Sequence, residues 1–402
     1  MTKIFRTLCT GCVLVWAAAI YSSGVVGQSG PTEAPAGYDN VTNGFVDQAT
    51  FDAARGVFEE HEGIAEGLGP LYNADSCASC HANPVTGAIS QVTELRAGRF
   101  NGTSFVEQVG GSLINDRAID PSIQERVFGS SDVRTFRTSL NTLGDGFVEA
   151  IADTALLAIA ANQPSSMRGI AIQVAVLEGP AGTIALGRFG WKDQHASLLS
   201  FSADAYLNEM GITTTFFPNE NTSNGNSVAK FDTVADPEDT DGDLFAFADF
   251  MRATKVPPRD ATAAATSDAQ VGSQLFNAIG CNICHVRTIV TAAAGTPILG
   301  GAATVNPALA NKIIHPFSDF LMHNVGTGDG VVQNGPPSTR NRMRTPPLWG
   351  MRSRDRLMHD GESLTRNDAI LRHGGEATNV INAYRGLSTT QKSQLVAFLN
   401  SL

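Results

Sequence analysis

Two five-residue strings constrain this chain more than anything else in it: Cys77-Ala-Ser-Cys-His81 and Cys281-Asn-Ile-Cys-His285. In a helical turn, residues i, i+3 and i+4 share one face. Two thiols can then bond the edge of a porphyrin while the adjacent imidazole reaches its iron, so C-x-x-C-H reads as an attachment signal for c-type haem. Two C-x-x-C pairs can also build a four-thiolate zinc site or a redox dithiol. The His trailing both pairs, and the long separation between them, favour two covalent haem c groups held by Cys77, Cys80, Cys281 and Cys284. His81 and His285 are then the proximal iron ligands.

The N-terminus reads as a secretory signal over residues 1–27. Lys3 and Arg6 give the positive end, Leu8 to Ile20 the apolar stretch, and the small residues near Gly27 a cleavage site before Gln28. Cys9 and Cys12 fall inside the apolar stretch and leave with it. That stretch is short for a membrane span, and no other run approaches one. A periplasmic or otherwise exported location suits c-type haem, and all four remaining cysteines are then used by it. The formal charge is -11, and losing Lys3 and Arg6 makes it more acidic. That argues against nucleic acid and permits a basic partner such as a small cationic electron-donor cytochrome.

The length predicts two domains. Residues 28–45 read as a flexible leader, 46–256 as an N-terminal cytochrome c-like haem domain with an insertion, 257–269 as a Pro- and Ala-rich linker, and 270–402 as a C-terminal cytochrome c-like haem domain. Each half runs helix, haem string, loop-rich middle and closing helix. In the second half Val271, Leu275, Phe276 and Ile279 form one helical face, and Ser388 with Gln391 marks a capping box before a Leu395, Phe398, Leu399 and Leu402 stripe. In the first half Phe51, Ala54 and Phe58 answer to Leu244, Phe247, Phe250 and Met251. The fold class is therefore mostly α: two cytochrome c-like domains, each with a covalent haem, plus long loop-rich insertions. Asp239-Thr-Asp-Gly-Asp243 resembles part of a calcium loop without its downstream Glu, and an acidic helix start is the simpler reading.

Six further segments, in order along the chain, carry a family resemblance: Gly67-Leu-Gly-Pro-Leu-Tyr-Asn73, Gly187-Arg-Phe-Gly-Trp-Lys192, Glu209-Met-Gly-Ile-Thr213, Arg344-Thr-Pro-Pro-Leu-Trp-Gly350, His359-Asp-Gly361 and Leu371-Arg-His-Gly-Gly-Glu376. Together they make the chain similar to the bacterial di-haem oxidoreductases, a group of peroxidases and thiol oxidoreductases related to di-haem cytochrome c peroxidases. The segment from Asn101 to Asp132 matches nothing in that pattern.

The resemblance implies a set of roles. His373, fourteen residues after the His of His-Asp-Gly, would be the second axial ligand of the C-terminal haem; taken alone, a His before Gly-Gly suits a surface or capping role equally. His359 would be a structural, hydrogen-bonded His beside that haem, while His315 and His323 receive no role. Relatives that block the first haem carry a second His soon after the haem string. The next one here is His195, which implies an open sixth position for a small oxidant unless His61, His195 or Met210 closes it. Glu209 would be the acid–base for O–O cleavage, with Glu149 as second candidate and a surface helix Glu as the plain reading. Trp191 would lie between the haems, as electron relay or as packing. Calcium held by main-chain carbonyls is a further implied cofactor. The expected activity is peroxide reduction with electrons from a donor cytochrome. The alternatives are a pure electron carrier and an oxidase of a thiol or protein side chain.

Overall fold

In the computed structural model, residues 30–240 and 242–402 are described; the expected signal segment lies outside them. Residues Pro31–Leu402 cluster as one compact unit. Its helix content is 33% and its strand content 15%, so the fold is mixed, not mostly α. The strands come from the loop-rich middles, where short β-branched and aromatic runs find partners that no periodicity announces.

Both expected helix pairs form. Gln48–Glu59 begins at Asp47, whose carboxylate accepts the Thr50 N–H at 2.8 Å, one of the donors a helix start leaves unpaired. It buries Phe51, Ala54 and Phe58 against Gly242–Ala253, with Phe58 and Phe250 ring centroids 4.8 Å apart. Each aromatic side chain so buried stabilises by roughly 1.5–3 kcal/mol. Asp239 accepts the N–H groups of Gly242 at 2.9 Å and Leu244 at 3.1 Å. The acidic string thus caps the helix that follows it.

In the second pair, Ser267–Ala278 crosses Thr389–Leu399, and the Ser388–Gln391 capping box is present. Phe276 meets Phe398 at 5.3 Å. The buried face is Ala269, Gly272 and Phe276, while Val271 is exposed. A Cβ on Gly272 would lie 1.9 Å from the Gln394 carbonyl oxygen. The close crossing therefore selects the small residue and rotates the helix away from its Val-centred face.

The segment without a family match is part of a four-stranded antiparallel sheet. Thr93–Phe100 pairs with Val133–Thr138 along six residues, and with Phe105–Glu107 and Leu113–Ile114. From Pro31 onward the expected leader is tied down. Thr32–Glu33 lies parallel to the Lys312–Ile314 strand, which also pairs with Ile289–Val290. Within the expected linker, Asp260 caps a short helix, Ala261–Ala264, and its N–H donates to the Ser401 carbonyl at 3.0 Å.

Candidate functional site

The two haem strings adopt the same local geometry. The His81 N–H donates to the Cys77 carbonyl at 3.1 Å and the His285 N–H to the Cys281 carbonyl at 3.0 Å, closing one helical turn at each. Each imidazole is then anchored by its Nδ1, at 3.1 Å from the Ala88 oxygen for His81 and 3.0 Å from the Phe317 oxygen for His285. A carbonyl only accepts, so Nδ1 carries the hydrogen and Nε2 keeps a lone pair for a metal. Burial holds both rings neutral, lowering His285 to about 4 with the neighbouring His373 adding to the effect. Among the described residues no disulfide engages Cys77, Cys80, Cys281 or Cys284, and burial pushes the thiols of Cys77, Cys80 and Cys281 up to about 12. Among the described residues no cluster of metal-ligating groups joins the two pairs, so no four-thiolate zinc site is assembled.

Each string opens into its own cleft. The second, with about 1560 Å³ of empty space, is lined by Cys281, Cys284, His285 and His373. His373 sits in the turn that follows the Arg366–Leu371 helix, and its Nδ1 lies 2.8 Å from the Ala369 oxygen, which again frees Nε2. The His285 and His373 ring centroids are 6.5 Å apart. Two imidazoles bound through nitrogen to opposite sides of one ion, with bonds of about 2 Å, would be separated by roughly 6 Å. The same walls carry buried N–H donors with no partner, Arg366 Nε and Trp349 Nε1, suited to the carboxylate tails of a porphyrin. Apolar walls, two facing imidazoles and orphaned donors fit a haem.

His359 also lines this cleft, with its ring 6.1 Å from Trp191 and its carbonyl accepting the Thr138 N–H at 2.7 Å. His323, at the cleft edge, is fixed between Asp319 at 2.8 Å and Glu376 at 2.9 Å. His315 is exposed and faces Glu33 at 3.1 Å, away from the cleft lining.

The first cleft, with about 1370 Å³ of empty space, holds Cys77, Cys80 and His81, and among the described residues no other His lines it. His61 is exposed and pairs with Asp75, while His195 pairs with Asp204. Met210 does line the cleft. Glu209 enters it from a widened helical turn, Tyr206–Met210, which ends at Gly211 with φ +74°. A Cβ at Gly211 would lie 2.5 Å from the Leu71 carbonyl oxygen, so the turn closes tightly onto the Leu71–Tyr72 strand. Asn73 holds Glu209 twice: its N–H donates to the Glu209 carbonyl at 2.7 Å and its Nδ2 to the carboxylate at 2.7 Å.

Opposite Glu209 stands Glu94, from the Thr93–Phe100 strand. Arg96 donates to it through Nε at 2.8 Å and Nη2 at 3.0 Å, and Arg137 lies 3.6 Å away. Burial and the Glu94 charge raise the Glu209 pKa. For Glu94, burial is outweighed by Arg96 and Arg137, and its pKa falls. Glu149, the second acid–base candidate, belongs elsewhere. It is buried against Arg252 at 2.7 Å and accepts the Leu198 N–H at 2.8 Å, outside the cleft lining.

Trp191, Leu140 and Arg344 line both clefts. The Trp191 Nε1–H donates to the Thr138 carbonyl at 2.8 Å, and its own carbonyl accepts the Arg344 N–H at 2.8 Å. Sequence reasoning missed Glu94, Arg96 and Arg137. The available signal was Glu94-x-Arg96, two opposite charges on one face of a strand.

The sequence model of a family described as "Di-haem oxidoreductase, putative peroxidase" matches residues 115–402. The chain belongs to that family. No curated protein matches it. Among solved structures it is similar to hydrazine synthase of Kuenenia stuttgartiensis (15% identity, all of both chains covered, TM-score 0.40). It is also similar to a MauG-like protein associated with microbial copper homeostasis (15%, 97% of this chain and 95% of that one, 0.40). A third is a variant of the diheme peroxidase BthA from Burkholderia thailandensis (14%, 93% and 91%, 0.39). Among the described residues no helix is long and apolar enough to cross a membrane.

Proposed function

We propose that this di-haem oxidoreductase is an exported peroxidase with two covalently bound c-type haems, reducing hydrogen peroxide with electrons from a small donor protein. The observation that carries the reading is the difference between the clefts. One presents two imidazoles to a single centre; the other presents one imidazole and a buried carboxylic acid. A centre closed on both sides suits electron transfer, and a centre left open suits a reacting ligand. Cys77, Cys80 and His81 Nε2 would hold the first haem. Cys281, Cys284, His285 Nε2 and His373 Nε2 would hold the second. When bound, the haems supply redox centres and an iron able to take a small oxidant.

The chain's own residues do the rest. Glu209, fixed by Asn73, stands where it can take a proton from one peroxide oxygen and return one to the other. The net change is that hydrogen peroxide gains two electrons and two protons and becomes two waters. Trp191, which lines both clefts and is held by Thr138 and Arg344, is the candidate electron relay. The acidic surface favours a basic donor.

Expression in a host competent for cytochrome maturation tests the reading. A red protein whose haem stays on the chain in a denaturing gel, with one high-spin and one low-spin resting EPR signal, is expected. Replacing Glu209→Gln should slow the peroxide reaction about a hundredfold or more. Two low-spin signals together with inertness to peroxide and cyanide would leave an electron carrier instead.

A further inference from the structure

The first cleft holds two carboxyl groups where the proposed reaction asks for one. Glu94 and Glu209 come from unrelated parts of the chain, the Thr93–Phe100 strand and the Tyr206–Met210 turn, and both line the cleft that contains His81. The two carboxyl groups share this cleft wall, close enough for each to act on the ionisation of the other. Two carboxylates have only lone pairs to offer, so a hydrogen bond between them requires a proton. The surroundings decide where it rests. Arg96 grips Glu94 with two N–H groups, and Arg137 faces it from the neighbouring strand. Glu209 receives only the neutral Asn73 amide directly. Two other acids line the same cleft: Asp204, engaged by His195 at 3.1 Å, and Asp145.

We infer that Glu94 and Glu209 work as a carboxyl pair that keeps one proton between them, with Glu94 the positioning residue that holds Glu209 in its acid form. This rests on reading the His81 cleft as the peroxide site. In the reaction, Glu209 gives its proton to the departing oxygen as the O–O bond breaks, and the first water leaves. The proton of the retained oxygen passes to the pair, which ends with the proton count it began with. The retained oxygen becomes the second water with two electrons from the donor and two protons from solvent. A lone Glu would have to accept before it could donate; the pair is ready to donate and accept together. The pair also gives the strand-rich insertion a purpose, since that insertion supplies Glu94, Arg96 and Arg137.

Infrared spectra of the ferric holoprotein at pH 7 read the proton without requiring turnover. In the difference spectrum between the wild type and Glu209→Gln, one carboxylic-acid carbonyl band is expected in the wild type and lost in the variant, which separates Glu209 from other buried acids such as Asp193 and Asp145. It is also lost in Glu94→Gln, because Arg96 and Arg137 then act on Glu209 alone and favour its charged form. Glu94→Asp should keep it. In stopped-flow reaction with peroxide, Glu94→Gln should lose about tenfold in rate at pH 7 and recover towards wild type at lower pH, where Glu209 regains its proton. No such band in the wild type, or one that persists in Glu94→Gln, overturns the shared proton. So does a Glu94→Gln rate at pH 7 equal to or above that of the wild type. Should the band behave as stated while no variant and no wild type reacts with peroxide, the carboxyl pair stands and the peroxide reading falls.

Discussion

At the scale of single residues, the molecule repeats one device three times. His81, His285 and His373 each give Nδ1 to a main-chain carbonyl and keep Nε2 clear. This fixes tautomer and ring plane before any metal arrives, which is what an outer partner does for a ligating imidazole. The consequence for His373 is testable. His373→Met should convert bis-imidazole ligation to His/Met, raising the reduction potential of the second centre and changing its low-spin EPR signature. An unmoved potential and spectrum would remove His373 from the iron. The cysteines and the histidines that trail them stood out because covalent attachment of a haem would fix their spacing within five residues. His373 was legible only through its distance from His359, since nothing in its immediate sequence distinguishes a ligand from a helix-end residue. Glu94 was legible at most as half of a Glu-x-Arg pair on a strand face: Glu209 is 115 positions away in the sequence, and only the fold brings the two to one cleft.

At the scale of elements, the apolar stripes marked the helix pairs but not their rotation. A stripe tells which side of a helix is greasy. Which residue sits at the crossing depends on how closely two backbones approach, and at Gly272 they approach to the limit. Gly272→Ala should force Ser267–Ala278 away from Thr389–Leu399 and cost about 1–3 kcal/mol, against the gain its better helix propensity would otherwise bring. Urea unfolding of the holoprotein reads this directly; a neutral or stabilising result would mean that the crossing yields. The strands were missed for a different reason. Several are two or three residues long, and their pairing partners lie far along the chain, so neither alternation nor turn spacing betrays them. The Arg137 strand shows the cost of missing them, because it reaches from the Glu94 carboxyl to a second acid, Asp329.

At the scale of the whole molecule, Asp329 is where distant segments meet. It accepts from Arg137 at 2.6 and 2.9 Å and from Lys192 at 3.0 Å, while Lys192 also donates to the carbonyls of Thr339 and Arg342. Burial would raise the Asp329 pKa, but the two cations outweigh it and lower it to about 2. A lowered carboxylate contributes stability that is present above its unfolded value near 4 and is lost as the pH falls through the folded value. Wild type should therefore lose stability between about pH 4 and pH 2. Asp329→Asn should be weaker by roughly 3–5 kcal/mol at pH 7, because it leaves Lys192 buried without its ion-pair partner and Arg137 with only Glu94, 3.6 Å away. The gap should close through that acid window, as equilibrium unfolding at several pH values would show; a gap that does not change with pH would assign the loss to packing. One more consequence follows from the short parallel pairing of Thr32–Glu33 with Lys312–Ile313. During synthesis the first of these segments appears 280 residues before its mate. The belt can be buckled only when most of the polypeptide has already emerged. Both Cys-x-x-Cys-His turns lie inside that interval, so each would be open to haem attachment while the belt is still undone.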